Sequence, residues 1–163
     1  MPNWCSNTIV IEGDLQDLVD LKYAMEDRGF CEAVVPIGEW DYDKALKEWG
    51  CKWDMSDPYY DLTDDGNGSG TLIIDGNTPW GPPIEVLKEL AKQYSDIEAW
   101  WVEPGMNMAG QMIGEEVTDF DVSRLSEATE EQQEAMCDGL REWLADEDIM
   151  DQAWSDLEEA SDD

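Results

Sequence analysis

The order of apolar and polar positions in the first 114 residues predicts an alternation of strands and helices. The central run is 70–74, which is β-branched and apolar on both faces, as is typical of a strand covered on its two sides. Pro79, Pro82 and Pro83 follow it, and because they fix φ and remove amide donors, the strand ends before them. Further strands are predicted at 7–12, 59–62, 97–103 and 109–114.

Two amphipathic helices are predicted between these strands. Apolar residues at helical spacing place the first over about 15–28, with Asp14 as its cap, and the second over 84–94. Pro83 is expected at the first position of the second helix, where its missing donor costs nothing. Trp80 is expected to fill the space between strand and helix.

The resulting order is strand, helix, strand, strand, helix, strand. This order predicts the α+β class and a ferredoxin-like fold, in which an antiparallel sheet carries two helices on one face. The first helix is followed by an aromatic-rich insertion at 30–60, which we expect to be irregular apart from a short helix near 43–49.

Four separated motifs give the chain a resemblance to a known family. They are Pro-Asn-Trp-Cys-Ser-Asn at 2–7, Trp-Gly-Cys-Lys-Trp-Asp at 49–54, Thr-Pro-Trp-Gly-Pro-Pro at 78–83, and Glu103 with Gly105 and Gly110. Over about residues 1–115 the sequence resembles the YubB ferredoxin-like family, which consists of small proteins carried by bacteriophages and plasmids. The resemblance implies the fold and a mobile-element origin, but no reaction. Met108 departs from the family, which tends to carry an aromatic residue there.

The composition changes after Gly114. Residues 1–114 contain 22 acids and 7 bases, whereas residues 115–163 contain 19 acids and 2 bases. The sequence therefore predicts a ferredoxin-like domain at 1–114 and an acidic extension at 115–163. Helical periodicity in the extension predicts two acidic helices, at about 127–145 and 147–159, whose apolar stripes dock on the first domain or on a partner chain.

The net charge limits the classes of partner. With 41 acids and 9 bases the formal charge is −32, so direct binding of nucleic acid or of an anionic membrane is not expected. A strongly basic partner is the natural complement. The extension carries about one acid per 4 Å of helical rise, close to the one phosphate per roughly 3.4 Å of a DNA strand.

An ordered surface with this density of acids can imitate a nucleic-acid backbone. The candidate partner-binding acids are Glu115, Glu116, Asp119, Asp121, Glu130, Glu131, Glu134, Asp138, Glu142, Asp146, Glu147 and Asp148. The alternative is that these acids form a solvated surface that serves solubility or adaptation to salt, and a melting series at low salt tests this.

Enzymatic chemistry is not expected. The chain has no histidine, and its four cysteines, at 5, 31, 51 and 137, form no Cys-x-x-Cys pair, so neither a histidine-based catalytic site nor zinc or iron–sulfur ligation is predicted. We expect no metal and no cofactor. Reduced thiols, no signal peptide and no apolar run long enough for a membrane span are typical of a cytoplasmic protein.

Two further patterns have a structural and a functional interpretation. Residues 61–72 resemble a calcium-binding loop at Asp65 and Gly66, but Leu72 replaces the final glutamate, so a turn between strands is the simpler interpretation. Stacking of nucleobases is one interpretation of an aromatic set, but the charge opposes it, and core packing or a protein contact is favoured. The set is Trp4, Trp40, Trp49, Trp53 and Trp80.

These observations lead to one functional hypothesis and one alternative. The hypothesis is a non-enzymatic protein of a phage or mobile element that binds a basic, nucleic-acid-handling host protein and inhibits it by DNA or RNA mimicry. Defence nucleases, restriction enzymes and CRISPR complexes are targets of that kind. A homodimer with twofold symmetry would lengthen the mimic. The alternative is an acidic adaptor or structural subunit that contacts its partner through exposed aromatic residues.

Overall fold

The computed structural model describes residues 3–146. In this range the strands are β1 (Trp4–Asp14), β2 (Ser56–Gly66), β3 (Ser69–Pro79), β4 (Asp96–Glu103), β5 (Met108–Ile113) and β6 (Glu116–Phe120). The helices are α1 (Leu15–Arg28), α2 (Phe30–Val34), α3 (Tyr42–Glu48), α4 (Ile84–Gln93), α5 (Glu130–Ala135) and α6, which covers 138–146. Short 3₁₀ turns occupy Pro104–Met106 and Leu125–Glu127.

All described strands belong to one sheet with the order β2-β3-β1-β4-β5-β6, and every neighbouring pair is antiparallel. The first four positions, together with α1 after β1 and α4 after β3, reproduce the ferredoxin-like arrangement. The predicted fold class is therefore confirmed. Strands β5 and β6 extend the sheet beyond β4, so β2 and β6 are its two edges.

One face of the sheet packs against α1 and α4 and forms the larger core. The cap of α1 is confirmed, because the Asp14 carboxylate accepts a hydrogen bond of 3.0 Å from the backbone N–H of Asp17. The core joins alternate strand residues to the apolar stripes of the two helices. Its fully buried members include Ile9, Ile11, Leu18, Leu72, Ile74, Val86, Leu87, Leu90 and Met112.

The opposite face of the sheet carries a second, smaller core that the chain after β6 covers. Its buried members are Val102, Ala109, Phe120, Val122, Met136, Leu140 and Leu144. The side-chain amide of Gln111 fastens this segment: its Nε2 donates to the carbonyl of Ala135 at 2.9 Å, and its Oε1 accepts from the N–H of Cys137 at 2.6 Å. A Cβ on Gly139 would lie 2.5 Å from the ring of Trp100, so α6 reaches the sheet only because this position has no side chain.

The structure corrects two details of the turn after β3. Pro83 is the residue before α4, which begins at Ile84, and not the first residue of the helix. Trp80 does not fill the space between strand and helix: its side chain is exposed, and its backbone has the left-handed φ of 69°. The Nζ of Lys52 lies over the exposed ring, 4.8 Å from its centroid.

The acidic extension also differs from its prediction. Residues 116–120 form strand β6 and not part of a helical surface. The single helix expected at 127–145 is divided into α5 and α6, because the backbone of Met136 is extended (φ −74°, ψ 141°). The helix predicted at 147–159 lies outside the described residues. The division of the chain at 114 stays a prediction, although the sheet continues across it. Within residues 3–146, no helix combines the length and apolar character that a membrane span requires.

Candidate protein-binding surface

The face of the sheet opposite α1 and α4 is built from rows of side chains that cross the strands. One row crosses all six strands and contains Asp61, Ile73, Val10, Glu98, Ile113 and Glu116. The row beside it contains Tyr59, Asp75, Thr8, Trp100, Gln111 and Thr118. Helix α6 and the segment before it cover the rows nearest Val102 and Ala109, and the first row remains largely uncovered.

Cationic side chains are segregated from the strands and lie mainly on the helix face. The six described strands contain no lysine or arginine. They contain twelve acids, of which two lie in β1, four in β2, one in β3, three in β4 and two in β6. Seven of the nine cations lie on α1, α3, α4 or the loop before β2: Lys22, Arg28, Lys44, Lys47, Lys52, Lys88 and Lys92. The other two follow β6, where Arg141 bonds to Asp138 and Arg124 lies 3.9 Å from Glu127. The described strands are therefore free of cations, whereas the helix face carries cations interspersed with acids such as Asp20, Asp27 and Glu48.

Ten of the twelve predicted partner-binding acids lie in the described residues, and all ten are exposed. Glu115, Glu116, Asp119 and Asp121 belong to β6 and the turns on either side of it. Glu130, Glu131 and Glu134 lie on α5, and Asp138, Glu142 and Asp146 lie on α6. Glu147 and Asp148 lie outside the described residues.

The structure brings some of these acids together and separates others. Asp138, Glu142 and Asp146 share one face of α6, because residues four apart are neighbours on a helix. Asp119 and Glu116 project from opposite faces of the sheet, because they are three positions apart and successive side chains of a strand alternate between its faces. The core residues of β6 support this assignment. Val117, on the same face as Asp119, packs against the larger core, and Phe120, on the same face as Glu116, belongs to the smaller one.

The spacing of the α6 acids limits how far α6 alone can imitate DNA. A step of four residues advances about 6 Å along a helix, compared with about 3.4 Å per phosphate along one DNA strand. A single stripe therefore has roughly half the required density of charge. The acids of α5 and of the sheet face are needed to supply the rest.

The acids of the sheet face were not predicted from the sequence as partner-binding residues. Asp61 on β2, Asp75 on β3 and the pair Asp96 and Glu98 on β4 come from separate segments and share one face of the sheet only through strand pairing. The available signal was the absence of lysine and arginine from every predicted strand, which holds for the printed sequence as well as for the structure.

Three residues of the aromatic set gather at one end of the sheet. The rings of Trp4 and Trp53 meet edge to face with centroids 6.0 Å apart, and Lys52 lies over Trp80. Trp4 and Trp80 are both about 40% exposed, at 40% and 39%. Trp49 is instead buried and donates to the carbonyl of Val35 at 2.7 Å. We call Trp4, Lys52, Trp53 and Trp80 the aromatic cluster.

Other residues of the motifs have structural roles. The Nδ2 of Asn7 donates to the carbonyl of Cys5 at 3.1 Å and to the Oγ1 of Thr78 at 2.9 Å, which joins β1 to the end of β3. The Asp54 carboxylate accepts from the N–H of Cys31, Glu32 and Met55 at 2.7, 3.1 and 2.7 Å. It satisfies the first amides of α2, which are otherwise unpaired.

The buried titratable groups belong to the cores. Glu103 is 1% exposed; its Oε1 accepts from the N–H of Gly105 at 3.0 Å, and its Oε2 has no partner in the described part of the chain. Burial, followed by the charge of Glu103, raises the pKa of the Cys5 thiol, and burial also raises that of Cys31. The pKa of Cys137 is raised to about 11, mainly by burial. Over residues 3–146, no group of three or more Cys, Asp or Glu residues has a geometry that would hold a metal ion.

Comparison with known proteins agrees with this architecture. The fold and the sheet order define a ferredoxin-like α+β protein with an added acidic layer. A family model described as "Ferredoxin-like domain in Api92-like protein" matches residues 48–140, which is more than half of the chain. The chain therefore belongs to the family of the ferredoxin-like domain in Api92-like protein. No curated protein and no solved structure matches it.

Proposed function

We propose that this chain is a non-enzymatic inhibitor that binds a basic, nucleic-acid-handling protein by imitating DNA or RNA. On this proposal it acts in the cytoplasm of a bacterial host and comes from a phage or plasmid, as the resemblance to the YubB family implies. It occupies the target's nucleic-acid site, and the mechanism is steric and electrostatic competition without chemistry.

The segregation of charge is the observation that carries the proposal. Seven of the nine cations lie on the helix face or before β2, and the two in the extension, Arg124 and Arg141, lie beside Glu127 and Asp138. The sheet face and the extension therefore present a predominantly negative field to a partner. The acids are also held in place, because Leu140 and Leu144 of α6 are fully buried against the sheet. Fixed charges of one sign attract a basic site rapidly and in a salt-dependent manner.

The proposal is tested by competition on a captured partner. Proteins retained from a bacterial lysate at low salt and released by NaCl are purified, and each is loaded with a fluorescent DNA or RNA duplex. We expect the chain to displace the duplex from at least one of them, with an inhibition constant that rises steeply with NaCl.

A charge-reversed variant and a matched control make the test specific. E134K/E142K/D146K alters the extension, and D20K/D27K/E48K alters the helix face at equally exposed positions. Each triple variant shifts the formal net charge by six positive units, from −32 to −26. The first variant should weaken inhibition at least tenfold, and the second by less than threefold. Equal losses would mean that only net charge matters, and the proposal would then be wrong.

The aromatic cluster supports a second candidate, an adaptor that contacts its partner through tryptophans. Trp80 combines an exposed ring with a left-handed backbone, and such strain is concentrated at functional sites. An adaptor of this kind should lose its partner in the variant W4A/W80A and keep it in E134K/E142K/D146K. The inhibitor should behave in the opposite way.

A further inference from the structure

The sheet face contains a half that residues 115–146, the described part of the extension, leave uncovered. Its apolar residues are Val10, Ile73 and Ile113, which are neighbours in the row that crosses all six strands. Ile113 is 43% exposed. Acidic side chains surround these three residues, at Glu12, Asp61, Asp96, Glu98 and Glu116. We call these eight residues the uncovered half-face.

A cavity of about 360 Å³ opens in this surface between β1, β4 and β5. Val10 and Ile113 line it with apolar side chains, and its acidic lining residues are Glu12, Asp96 and Glu98. The lining of the cavity therefore combines apolar side chains with three carboxylates.

The carboxylates repel one another across the strands. Glu12 and Asp96 are directly opposite in the pairing of β1 with β4, and like charges in that position destabilise a sheet. No lysine or arginine among residues 3–146 forms an ion pair with either of them. Glu98 lies at the border of the covered region, and its charge adds to burial in raising the pKa of the Cys137 thiol. An uncompensated pair of this kind favours a cation that comes from outside the chain.

We propose that the cavity receives a lysine or arginine side chain of a partner protein. The hydrocarbon stem lies on Val10 and Ile113, and the cationic head lies among the carboxylates. Long basic side chains bury their stems in this way while the head keeps polar partners. Arginine fits better than lysine, because its planar fork can bond two carboxylates at once.

Charge decides which occupant the uncovered half-face takes. Residues 147–163 contain eight acids and no base, so they offer no cation to the carboxylates of the cavity. A second copy of the chain would bring the same acids against it, because a twofold interface pairs identical surfaces. A basic segment with alternating apolar and cationic residues satisfies both the apolar row and its acidic border.

This inference rests on the proposed function, since it names the side-chain chemistry of the basic partner. The two can nevertheless fail separately. The competition experiment reads displacement of a duplex through changes on α5 and α6, whereas the test below reads contact with the sheet alone.

The test is a titration of the full chain, labelled at isoleucine methyl groups, with a capped hexapeptide of alternating valine and arginine. The signals of Ile73 and Ile113 should shift in a saturable way, while those of Ile9 and Ile74, buried on the opposite face, should not. The same peptide with neutral citrulline in place of arginine should bind at least tenfold more weakly.

Two variants complete the test. E12Q/D96N should weaken binding of the arginine peptide at least tenfold, and D20N/D27N on α1, which removes the same charge, should change it less than twofold. The first variant should also melt at a higher temperature than the unaltered protein, because it removes the repulsion between opposed carboxylates. Equal binding of the citrulline peptide, unchanged affinity in E12Q/D96N, or shifts that MgCl₂ produces and the peptide does not, would each overturn the inference.

Discussion

Replacing Leu140 by alanine tests whether the acidic extension is docked on the sheet. Leu140 is fully buried in the smaller core beside Met136 and Leu144. Leucine-to-alanine changes in cores cost about 2–5 kcal/mol, and sites that can collapse are at the low end. The smaller core lies under a single covering segment that can move inward, so we expect a cost of about 2–3 kcal/mol.

Amide hydrogen exchange measures this cost where it arises. Because about 1.4 kcal/mol corresponds to a factor of ten, L140A should speed exchange of the α6 amides by about 25- to 150-fold. Amides of β1 and β3, in the centre of the sheet, should change much less. The matched control is L46A on α3, where the same change is made to a side chain that is 39% exposed. Exchange in α6 that is the same in both variants would refute the docking of the extension.

Three further outcomes follow from other contacts. D54A should destabilise the protein by about 1–3 kcal/mol in urea unfolding, because three backbone N–H groups lose their acceptor, and a loss below about 0.5 kcal/mol would contradict that role. The free energy of unfolding should decrease as the pH rises from 9 towards 11. Burial raises the pKa of Cys5 and raises that of Cys137 to about 11, whereas the same thiols ionise near 9.0 in the unfolded chain. Identical urea midpoints at pH 8 and 10 would disprove this. W80G should change stability by less than about 1 kcal/mol, because relief of the left-handed backbone offsets the lost contact with Lys52, and a destabilisation above about 2 kcal/mol would show that the ring is structural.

The parts of the fold that local patterns encode were predictable from the sequence. The periodicities of 15–28 and 70–74 identified α1 and the centre of β3, and the order of elements led to the ferredoxin-like class. Strand β2 was predicted as four residues and has eleven, because an edge strand needs apolar residues on only one face and its acids are typical of a turn. Strand β6 was missed because its acids, Glu116 and Asp119, were grouped with the rest of the extension.

The candidate site was predictable only in part, because a surface depends on contacts between distant segments. The abundance of acids in the extension was visible in the sequence, and the ten that the structure describes are exposed. The position of those acids depends on Gln111 and Gly139, which hold the segment against the sheet. No periodicity in the sequence predicts either contact. The cavity beside Glu12 and Asp96 likewise arises from the register of β1 with β4.

Carboxyl footprinting of the protein bound to its captured partner tests the central claim most directly. A water-soluble carbodiimide and an amine label exposed Asp and Glu side chains, and mass spectrometry measures each site with and without the partner. We expect protection of the sheet and extension acids, measured at Glu98, Glu134 and Glu142, and unchanged labelling at Asp20 and Asp27 on α1. Protection confined to the helix face, with the extension labelled as in the free protein, would contradict it.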